Sequence, residues 1–330
     1  MTGRGDAEIP QGFPEPGSVA GGDSFHRPVL VNEVLAHLEP AQRGKIMDGT
    51  AGGGGHSLAL LERYRACRIV AVDRDPIALE ATRMALKDFE DRVRFVEARF
   101  DEAAVSAGLV GPTLMGALLD LGLSTHQLDS DERGFSFRPQ ALLDMRMAGD
   151  ARGEASAADL LNDLDEGELA RVFREYGEEP RPRRLSRAVV ERRRSRPFRV
   201  ASDLLAAMEA AYGRSPGIKA KARVWQALRV AVNDEIDALE AALPALREAL
   251  LPGGILSVIA YESLTDRIVK HTFQEWSRAC ICPPALPTCV CRGEALGKPV
   301  VKGIVRPSAG EVTENPRARS ARLRSWRKAA

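Results

Sequence analysis

Short apolar runs alternate with amphipathic stretches over residues 25–124. The apolar runs predict strands near residues 45–48, 68–73, 92–97 and 115–121. The amphipathic stretches predict helices near residues 28–38, 56–65 and 76–89. Strands and helices in this order form a parallel sheet with helices on both faces, so the sequence predicts a doubly wound α/β fold.

The alternation stops at residue 125, and residues 125–222 show helical stretches separated by Gly and Pro. The sheet pattern then returns as a long helix, a strand, a second helix and a last strand, near residues 223–250, 255–260, 264–278 and 300–305. We predict one sheet domain in two parts, 25–124 and 223–330, interrupted by an all-helical, substrate-binding insertion over 125–222.

The composition is that of a globular chain, since 44% of the 330 residues are hydrophobic and 28% are charged. No apolar run reaches about 18 residues, so we predict no membrane span. Residues 1–24 are rich in Gly and Pro and lack the apolar segment of a signal peptide, so we expect a disordered lead. Five cysteines without a secretory signal indicate a reducing compartment, the cytoplasm.

The formal net charge of +1 hides two basic clusters. Nine arginines lie between Arg181 and Arg199, and six basic residues form a C-terminal tail between Arg317 and Lys328. Such clusters can neutralise the phosphates of a nucleic acid. The alternatives are a solvated helix face for the first cluster and a frayed tail for the second.

A glycine-rich segment, Asp48-Gly49-Thr50-Ala51-Gly52-Gly53-Gly54-Gly55-His56-Ser57, joins the first predicted strand to a helix. Its four consecutive glycines can take positive φ and let a ligand approach the main chain. Asp73 ends the next strand, about 20 residues on, where a carboxylate can accept hydrogen bonds from ribose hydroxyls.

This loop differs from two common nucleotide-binding loops, because it has neither the dinucleotide G-x-G-x-x-G spacing nor a following Gly-Lys-Ser/Thr. The carboxylate of Asp48 at its start favours a cationic or amine-bearing ligand. S-adenosylmethionine has a sulfonium, an amine and a ribose, and we predict it as the cofactor. The alternative is a tight strand-to-helix turn with an incidental carboxylate.

A further predicted strand ends in Asp120. Ligands of doubly wound sheets bind at the carboxyl ends of strands, so Asp120 is expected beside the cofactor and the acceptor, although a helix cap is an alternative. Farther on, arginines alternate with Phe135 and Phe137. This pattern can bind a splayed base and its phosphates, or it can form core contacts and ion pairs.

Taken together, a series of segments resembles the bacterial small-subunit ribosomal RNA cytosine-N4 methyltransferase family. They run in order through the chain: His26–Leu30, Asp48–Ser57, Asp73–Pro76, Asp120–Gly122, Glu132–Phe137, Leu143–Met147, Tyr176–Glu179, Gln226–Arg229, Val232–Glu235 and Glu314–Ser320.

The resemblance implies methylation, by S-adenosylmethionine, of the exocyclic N4 of a cytidine in the decoding region of 16S ribosomal RNA, within the small ribosomal subunit. It also implies a Rossmann-like methyltransferase sheet with an inserted helical domain. Carried over by position, the cofactor contacts are Gly54, Gly55, His56, Asp73, Phe100, Asp120 and Gln127. For catalysis we predict that Asp120, helped by Ser124, accepts a hydrogen of N4 as the methyl group is transferred.

Three stretches depart from the family. Ser124-Thr125-His126 replaces two serines and a proline, Tyr261–Arg267 replaces Phe-His-Ser-Leu-Glu-Asp-Arg, and Ala222–Gln226 replaces Thr-Arg-x-Phe-Gln. Glu262 thereby stands at the position of a histidine, on the acceptor side. Two alternative functions remain open. One is a DNA amino-methyltransferase, which would normally have a Pro-Pro-aromatic turn after Asp120, and the other is a non-catalytic RNA-binding assembly factor that retains the fold.

Cys280, Cys282, Cys289 and Cys291 form two C-x-C pairs in a Pro-rich loop. Four thiolates can bind zinc tetrahedrally, so these residues predict a structural zinc site that methyl transfer does not need. The alternative is a loop with four reduced cysteines.

Overall fold

A computed structural model describes residues 28–149, 153–282 and 290–330, so the predicted disordered lead lies outside the described residues. The strands are β1 (Lys45–Asp48), β2 (Arg68–Asp73), β3 (Val93–Glu97), β4 (Leu114–Leu121), β5 (Leu250–Ala260), β6 (Gly297–Pro299) and β7 (Arg322–Lys328). The helices before residue 150 are α1 (Val31–Leu38), α2 (Gly55–Arg63), α3 (Pro76–Ala85), α4 (Ala103–Ser106) and α5 (Thr125–Asp129). The later helices are α6 (Ala157–Asp163), α7 (Glu166–Glu175), α8 (Pro182–Ser195), α9 (Ala201–Tyr212), α10 (Ile218–Asn233), α11 (Glu235–Ala249), α12 (Ser263–Trp276) and α13 (Ala309–Glu314).

The strands form one seven-stranded sheet in the order β3-β2-β1-β4-β5-β7-β6. Strands β1 to β5 are parallel, and β7 is antiparallel to both β5 and β6. The prediction of a doubly wound, Rossmann-like α/β sheet is confirmed. The strand order reverses between β1 and β4, which is where sheets of this class open a crevice for a ligand.

Two predictions about the second half of the chain are wrong, and the alternative of a frayed C-terminal tail is excluded. The helix predicted at 223–250 is two helices, because Asp234 between α10 and α11 has the left-handed φ of 49°. The strand predicted at 300–305 is instead the shorter β6 (Gly297–Pro299), and Val305 forms only an isolated bridge to Leu323. The predicted basic tail contains β7, whose Trp326 is fully buried in the sheet core.

The helical part has its own hydrophobic core, which includes Phe173 from α7 and Phe198 before α9. Leu228 and Val232 of α10 belong to the same core, so α10 runs across the boundary predicted at residue 222. The predicted division into domains remains an interpretation. None of the described helices combines the length and the apolar composition required to cross a membrane.

Buried polar contacts join the helical part to the sheet next to the end of β2. Arg74 donates two hydrogen bonds of 2.6 and 2.7 Å to the carboxylate of Glu154, and Arg133 pairs with Asp75 at 2.9 Å. Asn233 at the end of α10 accepts from the Met147 amide at 2.8 Å and donates to the Met145 carbonyl at 2.7 Å. These contacts hold one wall of the crevice in place.

Candidate active site

A cleft opens at the carboxyl ends of β1, β2 and β4, bordered by the glycine loop on one side and by α5 and the end of α10 on the other. Its volume, counted out to the open mouth, is about 1110 Å³. Because this volume includes the open mouth, the residues that line the cleft, and not its size, indicate what it can bind.

Two glycines of the loop show why a side chain is excluded there. Gly52 has a φ of 56°, and its amide donates a 2.8 Å hydrogen bond to Oδ2 of Asp73. At Gly55, the first residue of α2, a Cβ atom would lie 2.8 Å from the ring of Pro28. Both residues line the cleft, whereas Gly54, a predicted cofactor contact, lies behind the loop against Thr82 and does not line it.

The carboxylate of Asp48 does not face the cleft, so the expected contact with a cationic ligand is not seen. It is 1% exposed and accepts hydrogen bonds from the Ser57 hydroxyl at 2.7 Å and the Thr50 amide at 3.3 Å. Burial raises its pKa above the usual value. Asp48 therefore holds the glycine loop onto α2, because a buried carboxylate needs such donors to stay in the structure.

Asp73 lines the cleft at the end of β2. Its Oδ1 accepts from the Asp75 amide at 2.9 Å, and its Oδ2 accepts from the Gly52 amide. Burial raises the pKa of Asp73 to about 6, and these two amides oppose part of the rise. A carboxylate with two amide donors still has lone pairs to offer to hydroxyl groups of a ligand.

Asp120, at the end of β4, lies between the loop and β5. Its amide donates to the Thr50 hydroxyl at 2.6 Å, and its Oδ2 is 3.9 Å from Nδ1 of His56. The other ring nitrogen of His56 contacts the Val29 carbonyl at 2.9 Å. Among the described residues, Oδ1 of Asp120 is buried without a hydrogen-bond partner, and the same is true of the Tyr261 hydroxyl.

Tyr261, the residue that follows β5, is a neighbour of Asp120. A Cβ atom on Gly122 would lie 2.8 Å from the Tyr261 ring, so only glycine leaves space for this tyrosine. Burial and then the negative charge of Asp120 raise the pKa of Tyr261 well above its usual value. The hydroxyl is therefore a neutral donor over the whole physiological pH range.

Ser124 and Gln127 line the cleft but also support each other. The Ser124 amide donates to Oε1 of Gln127 at 3.1 Å, and the Gln127 amide donates to the Ser124 hydroxyl at 3.2 Å. This reciprocal pair fixes the first turn of α5 in the manner of a capping box. Phe100, the predicted adenine contact, lies in the cleft wall against the sheet core.

The cleft contains residues to which the sequence analysis gave no role: Thr50, Arg74, Asn233, Glu235 and Thr265. Asn233 and Glu235 belong to the segment Val232–Glu235, and Arg74 to Asp73–Pro76, so the resemblance was the available signal. Their position at the cleft depends on the break between α10 and α11, which the apolar pattern did not predict.

Glu262, at the position of the family's histidine, is neutralised by a buried arginine. Its Oε1 lies 2.6 Å from Nη2 of Arg229, and Arg229 also binds Glu235 through two hydrogen bonds of 2.7 and 3.0 Å. Burial raises the pKa of Glu262, and the Arg229 charge lowers it in part. The substitution therefore builds an ion-pair cluster under the cleft rather than a new titratable group in it.

Of the two interpretations of the segment around Phe135 and Phe137, the structure agrees with core contacts and ion pairs and not with a platform for a base. Phe135 is 2% exposed in the helical core, and Phe137 packs edge-on against Trp225 with ring centroids 5.0 Å apart. The arginines beside them are paired: Arg133 with Asp75, Arg138 with Asp131 and Arg146 with Asp144. This segment thus builds the helical part and attaches it to the sheet.

The two basic clusters differ in how many of their charges are free to meet a ligand. In the first, Arg192 and Arg196 pair with Asp203, and Arg193 donates to two carbonyls of the α6–α7 turn. Arg183, Arg184 and Arg187 of α8 are exposed, and Arg187 lies 3.7 Å from the carboxylate of Glu166 in a surface pair. In the second, Arg324 pairs with Asp266, and Lys328 binds the carbonyls of Arg247 and Leu250.

The chain matches known proteins over most of its length. The model of the MraW methylase family matches residues 23–329. Proteins named ribosomal RNA small subunit methyltransferase H are similar over almost their whole length. The one from Gemmatimonas aurantiaca is 46% identical over 93% of this chain and 96% of its own length. Those from Heliobacterium modesticaldum and Geobacter sulfurreducens are each 45% identical over 92% of this chain and 98% of their own. A match of this extent shows that the chain belongs to the MraW methylase family.

Proposed function

We propose that this protein uses S-adenosylmethionine to methylate small-subunit ribosomal RNA, at the exocyclic N4 of a cytidine in the decoding region. The relatives' name supports the RNA and the reaction class. The observation that carries the proposal is the convergence of the glycine loop, Asp73 and Asp120 at one cleft. The cytoplasm, where ribosomal subunits are assembled, is the expected place of action.

The cleft fits the cofactor in its polar groups and in its shape. Asp73 offers acceptors for ribose hydroxyls, and Gly52 and Gly55 leave the main chain open for close approach. Oδ1 of Asp120 is buried beside the neutral Tyr261 hydroxyl and has acceptor capacity left for a donor group of a ligand. When bound, S-adenosylmethionine supplies a methyl group on a positively charged sulfur.

The protein's contribution on the acceptor side follows from Asp120 and its neighbours. The lone pair of cytosine N4 is delocalised into the ring, so positioning and removal of a hydrogen are the main means of activating it. We assign Oδ1 of Asp120 as the acceptor of that hydrogen, and the neutral Tyr261 hydroxyl lies beside the carboxylate. The target base has to be single-stranded or turned out of its stack to enter the cleft.

Mass spectrometry of small-subunit ribosomal RNA tests this function. A strain lacking the gene should lose one N4-methylated cytidine, and the wild-type gene should restore it while Asp120→Ala should not. Purified protein should then methylate 16S ribosomal RNA, naked or within the subunit, and leave duplex DNA unmodified. Methylation of DNA instead would favour a DNA amino-methyltransferase, and an unchanged ribosomal RNA would favour an assembly factor without catalysis.

A further inference from the structure

Three cysteine side chains meet beyond the C-terminal end of α12. The Sγ atoms of Cys280, Cys282 and Cys291 all lie within 4.8 Å of one another, and those of Cys280 and Cys291 are 3.9 Å apart. A disulfide would need a separation of about 2.05 Å. Two sulfurs bound to the same tetrahedral zinc at about 2.3 Å are about 3.8 Å apart, which agrees with the observed spacing.

We propose that these three thiolates bind one zinc ion, which fastens the two ends of the loop between α12 and β6. Cys280 and Cys282 follow α12, and Cys291 precedes β6, so a shared ion would connect segments that are separated by the loop. Cys289, the fourth predicted ligand, lies outside the described residues. The site defined here consists of the three described sulfurs.

The surroundings favour a metal over ordinary thiols. Free cysteines are among the most buried residues in proteins, whereas Cys280 is exposed and Cys282 and Cys291 are half-buried. The Ile281 amide donates to Sγ of Cys291 at 3.4 Å, and amide donors of this kind stabilise sulfur ligands from the second coordination shell. One exposed and two half-buried thiols gathered at one point do not contribute to a hydrophobic core.

Hydrogen bonds already join the segment before β6 to the end of α12, next to the three cysteines. Arg292, next to Cys291, donates to the carbonyls of Glu275 and Arg278 at the end of α12, and the Leu296 amide donates to the Trp276 carbonyl at 2.8 Å. Thr265 near the start of α12 lines the cleft, and a 14-residue helix is about 20 Å long. The cysteines lie beyond the opposite end of this helix, too far from the cleft for the zinc to contact a reacting group, so its role is structural. This inference is independent of the proposed function.

Elemental analysis of the full chain, purified under reducing conditions without chelator, tests the site. We expect about one zinc per chain, and loss of this zinc in Cys280→Ser/Cys291→Ser. Cys67→Ala is the matched control, because Cys67 is buried near Leu60 and should leave the zinc in place. Cobalt in place of zinc should give sulfur-to-cobalt charge-transfer absorption in the wild type and in the control, and none in the double variant.

A second measurement uses only the wild-type chain, so it does not depend on the folding of a variant. Removal of the metal by a chelator should accelerate tryptic cleavage at Arg278 and Arg292, and added zinc should restore protection. The proposal would be overturned by wild-type protein without zinc, by zinc retained in the double variant, or by tryptic cleavage that the chelator does not change.

Discussion

Asp73 is a residue in which folding and ligand binding make opposite demands. The amides of Gly52 and Asp75 hold its carboxylate at the cleft, but burial disfavours the charge and raises its pKa to about 6. Hydroxyl donors of a ribose stabilise the ionised form, so ligand binding should lower this pKa again. Cofactor affinity and protonation are therefore linked at this residue.

The affinity for S-adenosylmethionine should consequently decrease as the pH falls through 6. Above pH 7 Asp73 is ionised and its titration should leave the dissociation constant independent of pH, whereas below pH 6 each pH unit should weaken binding by up to about tenfold as the carboxylate becomes protonated. Calorimetry between pH 5 and pH 8 measures this. Asp73→Asn is the control, since it should bind the cofactor weakly and its affinity should not change with pH through residue 73. If both proteins showed the same pH profile, the pH dependence would not come from Asp73.

Asp120→Asn should reduce the rate of methyl transfer more than it reduces cofactor affinity. An amide keeps the shape of the side chain but is a poor acceptor for a hydrogen of N4, and general base catalysis contributes about 10²–10⁴ to the rate. We expect a loss of about a hundredfold in single-turnover rate with less than tenfold in cofactor affinity. Equal losses in both would show that Asp120 acts only through the cofactor.

At the scale of elements, the break between α10 and α11 decides how the cleft is closed. Asp234 has φ 49° and ψ 38°, and this left-handed residue redirects the chain so that Asn233 and Glu235 both reach the cleft. Its side chain is exposed and its carboxylate lies 4.0 Å from Arg99, a surface pair that contributes little to stability. The residue at position 234 therefore affects stability mainly through how well it tolerates the left-handed backbone conformation.

A β-branched residue at position 234 should therefore destabilise the protein. Left-handed backbone costs L-residues about 1–2 kcal/mol, and Asp tolerates it better than Val does, so Asp234→Val should lower the free energy of unfolding by about that amount. Asp234→Gly should remain within about 1 kcal/mol of the wild type. The control is Glu240→Val at an exposed interior position of α11, which should change stability by less than about 0.5 kcal/mol in urea unfolding.

The elements that the sequence predicted well are those set by local periodicity. Strands β1 to β4 alternate with helices strongly enough to fix the sheet, and the strand ends then place Asp73 and Asp120 at one cleft. The break at Asp234 went unpredicted because one left-handed residue does not interrupt the apolar period of the helices around it. The inward direction of Asp48 was also missed, since its donor Ser57 becomes a partner only after α2 has formed.

At the scale of the whole molecule, the sheet and the helical part act as one body through buried ion pairs. Arg133 is 12% exposed and Asp75 is 4% exposed, and Asp75 also donates its amide to the carboxylate of Asp73. Removal of one partner of such a buried pair costs about 3–5 kcal/mol, because the other charge stays uncompensated. The position of the Asp73 carboxylate therefore depends on contacts made by the helical insertion.

The exposed arginines of α8 should contribute part of the binding free energy for RNA. Arg183, Arg184 and Arg187 are exposed on one helix, while Arg192 and Arg193 are engaged in contacts that hold α8 to α9 and α6. Each phosphate neutralised on single-stranded RNA contributes about 0.7 to the slope of log K against log salt. Replacement of the three exposed arginines by Gln should therefore flatten this slope by about two units, with unchanged cofactor binding.

A charge-matched control separates this local effect from a change in net charge. Arg63, Arg65 and Arg68 are also exposed, but they lie at the amino end of β2, on the edge of the sheet opposite to the cleft. Their replacement by Gln removes the same charge and should leave the salt dependence within about half a unit of the wild type. If both triple variants flattened the slope equally, the overall charge of the protein would account for the effect. If neither did, α8 would be a solvated helix face, and the RNA would have to be bound by another surface.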